Sequence, residues 1–272
     1  MATVILNNGV VMPQIGFGTA LLSDDEAYRA LSGAFADGYR KVDTASAYSN
    51  EIGIGRAIAT SGLSRSEVFI TTKAWNTEQG RANTRAAFER SLERLGLDHV
   101  DLYLIHWPAP MLGLFSETWE VLEELAAEGL TRAIGVSNFR REDLEVLTSS
   151  ASRRPAVNQV QLHPYLQRRE LRTLHRDSGI ITEAWAPLSQ GALLGDPTLA
   201  DIASRNGMTT AQVVLRWHLQ YGHSVIPRSQ DSTRRKANLA TGTLPSLSTG
   251  DMRAIDALNR HEVLDPDPAT FN

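Results

Sequence analysis

Residues 100–136 read VDLYLIHWPAPMLGLFSETWEVLEELAAEGLTRAIGV. This stretch holds a compact apolar run at Val100–Ile105, an amphipathic segment at Glu117–Glu128 and a second apolar run at Arg132–Val136. In the middle segment Trp119, Leu122, Leu125 and Ala126 fall on one side, and Glu120, Glu123 and Glu124 on the other. That is the period of a helix with one buried face. A strand, a helix and a strand of this length make a right-handed crossover joining two parallel strands.

The same alternation runs outward in both directions. The spacing predicts strands at Ile15–Gly18, Lys41–Asp43, Val68–Thr72, Val157–Val160, Ile180–Ala184 and Ser224–Ile226, which brings the total to eight. Asp24 is expected to cap the first helix, with Gly38 ending it, and Gly129 follows the fourth. Ahead of these units, Val4–Leu6 and Val10–Met12 flank Asn7-Asn8-Gly9, a hairpin with the positive φ its turn needs. Eight units in 272 residues leave about 34 residues each. The expected fold is an eight-stranded parallel (β/α) TIM barrel with an N-terminal β-hairpin, one domain over residues 1–272. An open doubly wound sheet would carry a glycine-rich nucleotide turn after its first strand. Here that turn is Gly16-Phe17-Gly18-Thr19, without the third glycine, and Gly53-Ile54-Gly55 lies within a helical pattern.

Composition narrows the function. The chain has 27 basic and 31 acidic residues, a net charge of −4, and no long single-sign block, so no nucleic-acid partner is expected. It has no cysteine, which excludes disulfides, thiolate catalysis and cysteine-bound metal, and fits a reducing, cytoplasmic location. Met1 to Gly9 lacks the pattern of a signal peptide, and no apolar run reaches membrane-span length, so a soluble protein without a membrane partner is expected.

Chemistry in such a barrel belongs at the C-terminal ends of the strands. There the sequence places Asp43 with Tyr48 five residues on, then Lys73, then His106-Trp107. Singly, Asp43 reads equally well as a helix cap, whereas a lone Tyr48 is more commonly a half-buried loop residue and a lone His106 more commonly a structural histidine. Together, at the ends of three consecutive strands, they form a set. An ammonium at the barrel mouth loses hydration and needs an anion, which Asp43 supplies from the neighbouring strand. A fixed cation beside Tyr48 favours its phenolate and lowers a pKa that is otherwise near 10. A neutral imidazole at His106 can donate a hydrogen bond to a carbonyl oxygen. The set can deliver a proton to a developing alkoxide but has no electron source, so a cofactor is required.

Asp43, Tyr48, Lys73 and His106-Trp107-Pro108 resemble the tetrad of the aldo-keto reductase superfamily. The resemblance extends through Gly16-Phe17-Gly18-Thr19, Tyr48-Ser49-Asn50-Glu51, Ile134–Phe139, Asn158-Gln159 and Ile226-Pro227-Arg228-Ser229. Within the superfamily, Trp185 and the compact tail around Asp265-Pro266-Asp267-Pro268 are similar to bacterial 2,5-diketogluconate reductase-like members. The resemblance implies reduction of aldehydes or ketones by hydride transfer from NADP(H), with Tyr48 as proton donor, Lys73 tuning it, Asp43 anchoring Lys73 and His106 orienting the carbonyl. Dicarbonyls and keto-sugar acids are among the substrates it implies. It further implies that Trp185 stacks on the nicotinamide, and that Ser137, Asn138 and Gln159 hold its carboxamide. Thr19 joins the cofactor contacts, and Ala186, Leu188, Gln190 and Gly191 line the pyrophosphate loop. Arg228, Ser229, Arg234 and Asn238 meet the adenosine end. Paired guanidiniums suit a 2′-phosphate, hence NADP(H) over NAD(H).

Trp75, Asn76, His106, Trp107, Met111 and Leu114 are the expected substrate walls. Ala20-Leu21 stand where many relatives place an aromatic, and Arg228 stands where lysine is common. A short segment from Pro108 to Phe115 and a tail ending at Asn272 suggest an open pocket. A monomer acting on a small-molecule carbonyl is expected. A barrel hydrolase is disfavoured, because Gly135-Val136-Ser137-Asn138-Phe139 lacks the last glycine of a nucleophile elbow and the histidines show no metal-binding spacing. A non-catalytic NADP-binding regulatory or channel-associated subunit of the same fold is the remaining alternative.

Overall fold

A computed structural model of the chain describes residues 2–264 and 266–272. Met1 and Asp265, which entered the reading of the two ends, lie outside the described residues. The hairpin forms as expected, β1 (Thr3–Ile5) pairing antiparallel with β2 (Val11–Pro13). Eight parallel strands follow: β3 (Phe17–Gly18), β4 (Lys41–Asp43), β5 (Phe69–Ala74), β6 (Val100–Ile105), β7 (Thr131–Ser137), β8 (Val157–Gln161), β9 (Ile181–Trp185) and β10 (Ser224–Val225). They lie side by side in chain order from β3 to β10. A parallel bridge between Ile15 and Val225 joins the two ends of the sheet, with Gly16 N donating to Val225 O at 2.8 Å and Val225 N to Gln14 O at 2.7 Å. The sheet closes on itself as a barrel.

Helices cover it on the outside: α1 (Asp24–Ala36), α2 (Glu51–Thr60), α3 (Arg81–Leu95), α4 (Phe115–Ala127), α5 (Arg141–Ser150), α6 (Arg169–Ser178), α7 (Pro197–Asn206), α8 (Thr210–Gln220), α9 (Ser232–Ala240) and α10 (Thr249–Asp256). Asp24 does not cap α1. Ser23 does, in a capping box with Glu26, because its hydroxyl reaches the Glu26 amide from an extended backbone. Asp24 instead accepts a hydrogen bond from Gly53 N at 2.6 Å and so ties α1 to α2. A Cβ on Gly53 would lie 2.0 Å from Asp24 O, so only glycine allows this approach. Among the described residues no helix is long and apolar enough to cross a membrane.

Two strands differ from the expectation in ways that matter for the site. The first shortens to Phe17–Gly18, and the third runs on to Ala74, which places Lys73 inside the strand. The barrel interior is graded as a result. At its floor Phe69, Leu102, Leu104, Ala133 and Val157 pack against Leu6 and Met12 of the hairpin segment. Buried charges begin beside this floor, Lys41 in register with Phe69 and Lys73 with Leu104, and the strand ends lie beyond them.

Behind β8 and β9, α6 carries the buried His175, with ring nitrogens 2.9 Å from the Asn158 amide and 2.9 Å from the Thr182 hydroxyl. Burial pulls its pKa from the ordinary 6.5 down to about 3, and burial with Arg168 nearby brings His163 to about 4. Both are neutral in the folded protein and protonate freely once unfolded. Their contribution to stability is therefore complete above about pH 6.5 and is lost as pH falls towards 4 and 3. His175 alone should account for about 2 to 3 kcal/mol of the stability lost between pH 7 and pH 4.5. Thermal unfolding over that range should show the fall, and His175→Gln should flatten it. An unchanged slope in the variant would refute the assignment.

Nine non-glycine residues among those described have positive φ. All except His261 lie in segments that leave a barrel strand for the next helix: Leu21, Ser49, Ala109, Asn138, Arg168, Ala186, Ser189 and Gln190. Such conformations persist only where the surroundings hold them, and they concentrate on one end of the barrel.

Candidate active site

At that end β4, β5 and β6 bring together the four residues the sequence singled out. Lys73 is wholly buried, and its Nζ donates to Asp43 Oδ1 at 2.7 Å and to Thr44 O at 2.8 Å. The same ammonium lies 5.1 Å from the centre of the Tyr48 ring. Tyr48 ends a short 3-10 turn, Ser46–Tyr48, that follows β4. Its hydroxyl is 3.5 Å from His106 Nε2, and the two rings meet edge to face at 5.5 Å. His106 sits just past β6, its amide hydrogen-bonded to Ala74 O at 3.1 Å.

The electrostatics follow from burial. Burial would strip the proton from Lys73, but Asp43 and Tyr48 beside it outweigh that, and its pKa is raised overall. Burial pushes the Asp43 carboxyl up, against the pull of Lys73. Burial, with the Lys73 cation nearby, holds His106 well below the usual imidazole range. His106 is thus neutral at neutral pH, with one N–H to donate.

Around this set, Gln159 Nε2 donates to Asp43 Oδ2 at 2.7 Å and to Glu183 Oε1 at 2.8 Å. Asn138, at φ 62°, donates to His106 O and to Ser137 Oγ, both at 3.1 Å, and accepts from Trp185 Nε1 at 2.9 Å. Ser137 Oγ in turn donates to Gln159 O at 2.9 Å. The donors of Ser137, Asn138 and Gln159 are therefore engaged inside the protein, and their remaining oxygen lone pairs are what they can offer outward.

Thr19 differs from its expected place. It is completely buried, its hydroxyl donates to Asp43 O at 2.9 Å, and its side chain is closed off from the mouth. Leu188 is half-buried and packs its side chain against the core. Gln190 and Gly191 follow at φ 52° and 99°, after Ala186 at 46°. The Ser189 hydroxyl is buried without a partner among the described residues. Asn238 is buried on α9, Ser229 Oγ accepts from Asp231 N at 3.2 Å, and Arg228 is anchored on Ala20 O. The Arg234 side chain is 74% exposed, with only a 3.8 Å contact to Asp231. A dinucleotide phosphate fits this donor set: a strained loop at 186–191 with an unpartnered hydroxyl, and two guanidiniums flanking a serine.

On the other side Trp75 meets His106 edge to face at 5.0 Å. Asn76 is buried with both amide atoms unpartnered among the described residues, and Leu114 lies over Gly80. Met111 is not a wall. The residue is 81% exposed, and its backbone N donates to Asn272 Oδ1 at 2.9 Å. Phe271 lies beside both tryptophans instead, its ring 4.7 Å from that of Trp107 and 6.0 Å from that of Trp75. The end of the tail therefore packs against Trp75 and Trp107.

The Aldo/keto reductase family model matches residues 14–260. A protein named "Aldo-keto reductase" from Mycobacterium sp. (strain KMS) is 50% identical over 269 residues, covering 99% of this chain and 97% of that protein. "Glyoxal reductase" from Bacillus subtilis (strain 168) is 47% identical over 267 residues, covering 98% and 96%. A crystal structure of a Gox0644 mutant in complex with NADPH superposes with a TM-score of 0.95 at 41% identity, covering 100% of this chain and 98% of that one.

Proposed function

Because the chain belongs to the Aldo/keto reductase family and is an NADP-dependent oxidoreductase acting on carbonyl groups, we propose that Tyr48 donates the proton in reduction of small aldehydes and dicarbonyls of the glyoxal type. The observation that carries this is the Lys73 ammonium, fixed by Asp43 and set 5.1 Å from the Tyr48 ring, with the Tyr48 hydroxyl 3.5 Å from His106. NADPH, when bound, supplies the hydride that adds to the carbonyl carbon. Trp185, Ser137, Asn138, Gln159 and the 186–191 loop would hold it along the mouth, with Arg228, Ser229, Arg234 and Asn238 at its phosphate and adenosine end. The neutral His106 N–H orients the carbonyl oxygen towards Tyr48. The phenol O–H bond breaks as the alkoxide takes its proton, Lys73 stabilises the phenolate left behind, and solvent returns a proton to Tyr48. Trp75, Trp107 and Phe271 would form an aromatic slot that favours small, flat substrates over keto-sugar acids.

The chain is read further as one domain over residues 1–272 and as a cytoplasmic monomer with no nucleic-acid partner, on its eight units, its balanced charge and its lack of cysteine. The functional test mixes protein, NADPH and glyoxal beside larger aldehydes and follows the absorbance of the reduced nicotinamide. NADPH binding without turnover of any carbonyl would favour a non-catalytic NADP-binding subunit. Arg234→Ala should weaken NADPH by about 10-fold or more and leave NADH unchanged, since a charged hydrogen bond to phosphate is worth about 1.5–3 kcal/mol. Equal affinity of the wild-type protein for the two cofactors, by fluorescence titration, would refute the phosphate clamp.

A further inference from the structure

Beneath the Asp43–Lys73 pair lies a second buried ion pair that the proposed proton transfer does not use. Lys41 on β4 contacts Glu183 Oε2 on β9, and both side chains are completely buried. Lys41 Nζ also donates to Ser224 Oγ at 2.6 Å, and that hydroxyl donates to Glu183 Oε2 at 2.8 Å. The chain keeps the space for it. A Cβ on Gly16 would lie 2.9 Å from Lys41 Cγ, so a larger residue there would press on the lysine stem. Replacing a buried pair with apolar side chains is commonly neutral or stabilising, so stability alone gives little reason to retain one.

The connection to the site runs through one side chain. The two hydrogens of the Gln159 amide bridge Asp43 Oδ2 and Glu183 Oε1, at 2.7 and 2.8 Å. Lys41 is turned to the other oxygen, Oε2, so the pair presents its negative end to Asp43. We propose that Lys41 and Glu183 are positioning residues that set the proton affinity of Tyr48, acting through Gln159, Asp43 and Lys73. The inference rests on the reading of Tyr48 as proton donor.

The sign follows from the charges that face each group. Tyr48 is faced by Lys73 from β5 and His106 from the end of β6, while Ser46 of its own turn donates to Glu78 Oε2 at 2.6 Å. Asp43 is faced by Lys73, Gln159 and Glu183, and Glu183 by Lys41, Gln159 and Ser224. Burial would push Glu183 up, but Lys41 and the surrounding hydrogen bonds hold its carboxyl below the ordinary value, so it is charged. A carboxylate on that side raises the proton affinity of both Asp43 and Lys73. It offsets part of the pull that Lys73 exerts on the Tyr48 proton.

The test uses the full chain as wild type, Glu183→Gln, Lys41→Met, the double variant and Tyr48→Phe. Two quantities are followed: the pH at which kcat for NADPH-dependent reduction falls on the alkaline side, and the ultraviolet tyrosinate step that Tyr48→Phe removes. Glu183→Gln leaves an unbalanced cation and should move both down by about one pH unit. Lys41→Met leaves an unbalanced anion and should move both up. The double variant removes a pair whose negative end is the nearer, so it should move them down by less than Glu183→Gln does. A purely structural role would lower activity without shifts of opposite sign. If either single variant fails to fold around its lone buried charge, the double variant decides, because it buries none. An alkaline limb and a tyrosinate step both unchanged in the double variant would overturn the inference. Full turnover in Tyr48→Phe would overturn the proton-donor reading instead.

Discussion

Replacing Tyr48 with phenylalanine should lower NADPH-dependent turnover of glyoxal by about 10²- to 10⁴-fold, the range that a positioned proton donor contributes. The substitution removes one oxygen and leaves the rest of the arrangement in place. The ring keeps its position beside the Lys73 ammonium and its edge-to-face contact with His106, so the variant should fold with the wild-type thermal midpoint. NADPH binding should change by less than about 2-fold, since a group that acts only in the transition state lowers kcat and leaves ground-state binding alone. His106 is not a substitute donor. Its pKa lies well below the usual imidazole range, so the imidazolium is scarcely populated at neutral pH. Single-turnover rates with saturating NADPH would separate the chemical step from product release. A variant that retained more than about a tenth of wild-type kcat would exclude Tyr48 from proton transfer.

The parts of this site that were legible in the sequence share a physical cause. In a parallel barrel the chemistry gathers where strands end, so Asp43, Lys73 and His106 could be read from the last residues of three apolar runs. Lys41 and Glu183 lie one inward-facing position deeper, two residues before Asp43 and Trp185. The period of a strand puts them on the same face as those residues, so the signal existed. Attention to strand ends alone passes over it, because a charge within a strand is ordinarily assigned to a solvated face. Phe271 left no local trace. Its contacts with Trp75 and Trp107 join the last turn of the tail to loops more than half the chain away, and no periodicity or cap encodes where an irregular tail comes to rest. The misplaced cap of α1 is the reverse case. Ser23 and Asp24 are both good caps; Ser23 takes the role in its box with Glu26, and Asp24 finds its partner in Gly53 on another helix.

Lys73→Met should be the costlier change for the fold, and its cost should depend on pH. The lysine stem is wholly buried, so methionine fills most of its space and the variant chiefly loses the charge. Asp43 would then be left at 2% exposure with Gln159 Nε2, at 2.7 Å, as its remaining side-chain donor. A carboxylate stranded in this way costs about 3–5 kcal/mol. Asp43 can escape part of that cost by taking up a proton, a tendency that burial and Glu183 already impose in the wild-type protein. In the variant its folded pKa rises further above its unfolded value, so the folded state binds the extra proton. The penalty should therefore be small near the unfolded carboxylate pKa and grow as pH rises through the folded one. Turnover should fall with it, because without the cation the phenolate of Tyr48 loses its stabilisation and Tyr48 becomes a weaker acid. Urea denaturation of wild type and variant at pH 5 and pH 8 reads the effect directly. The stability gap should widen at the higher pH, and a gap of equal size at both would mean that Asp43 does not take up the proton when its partner is removed.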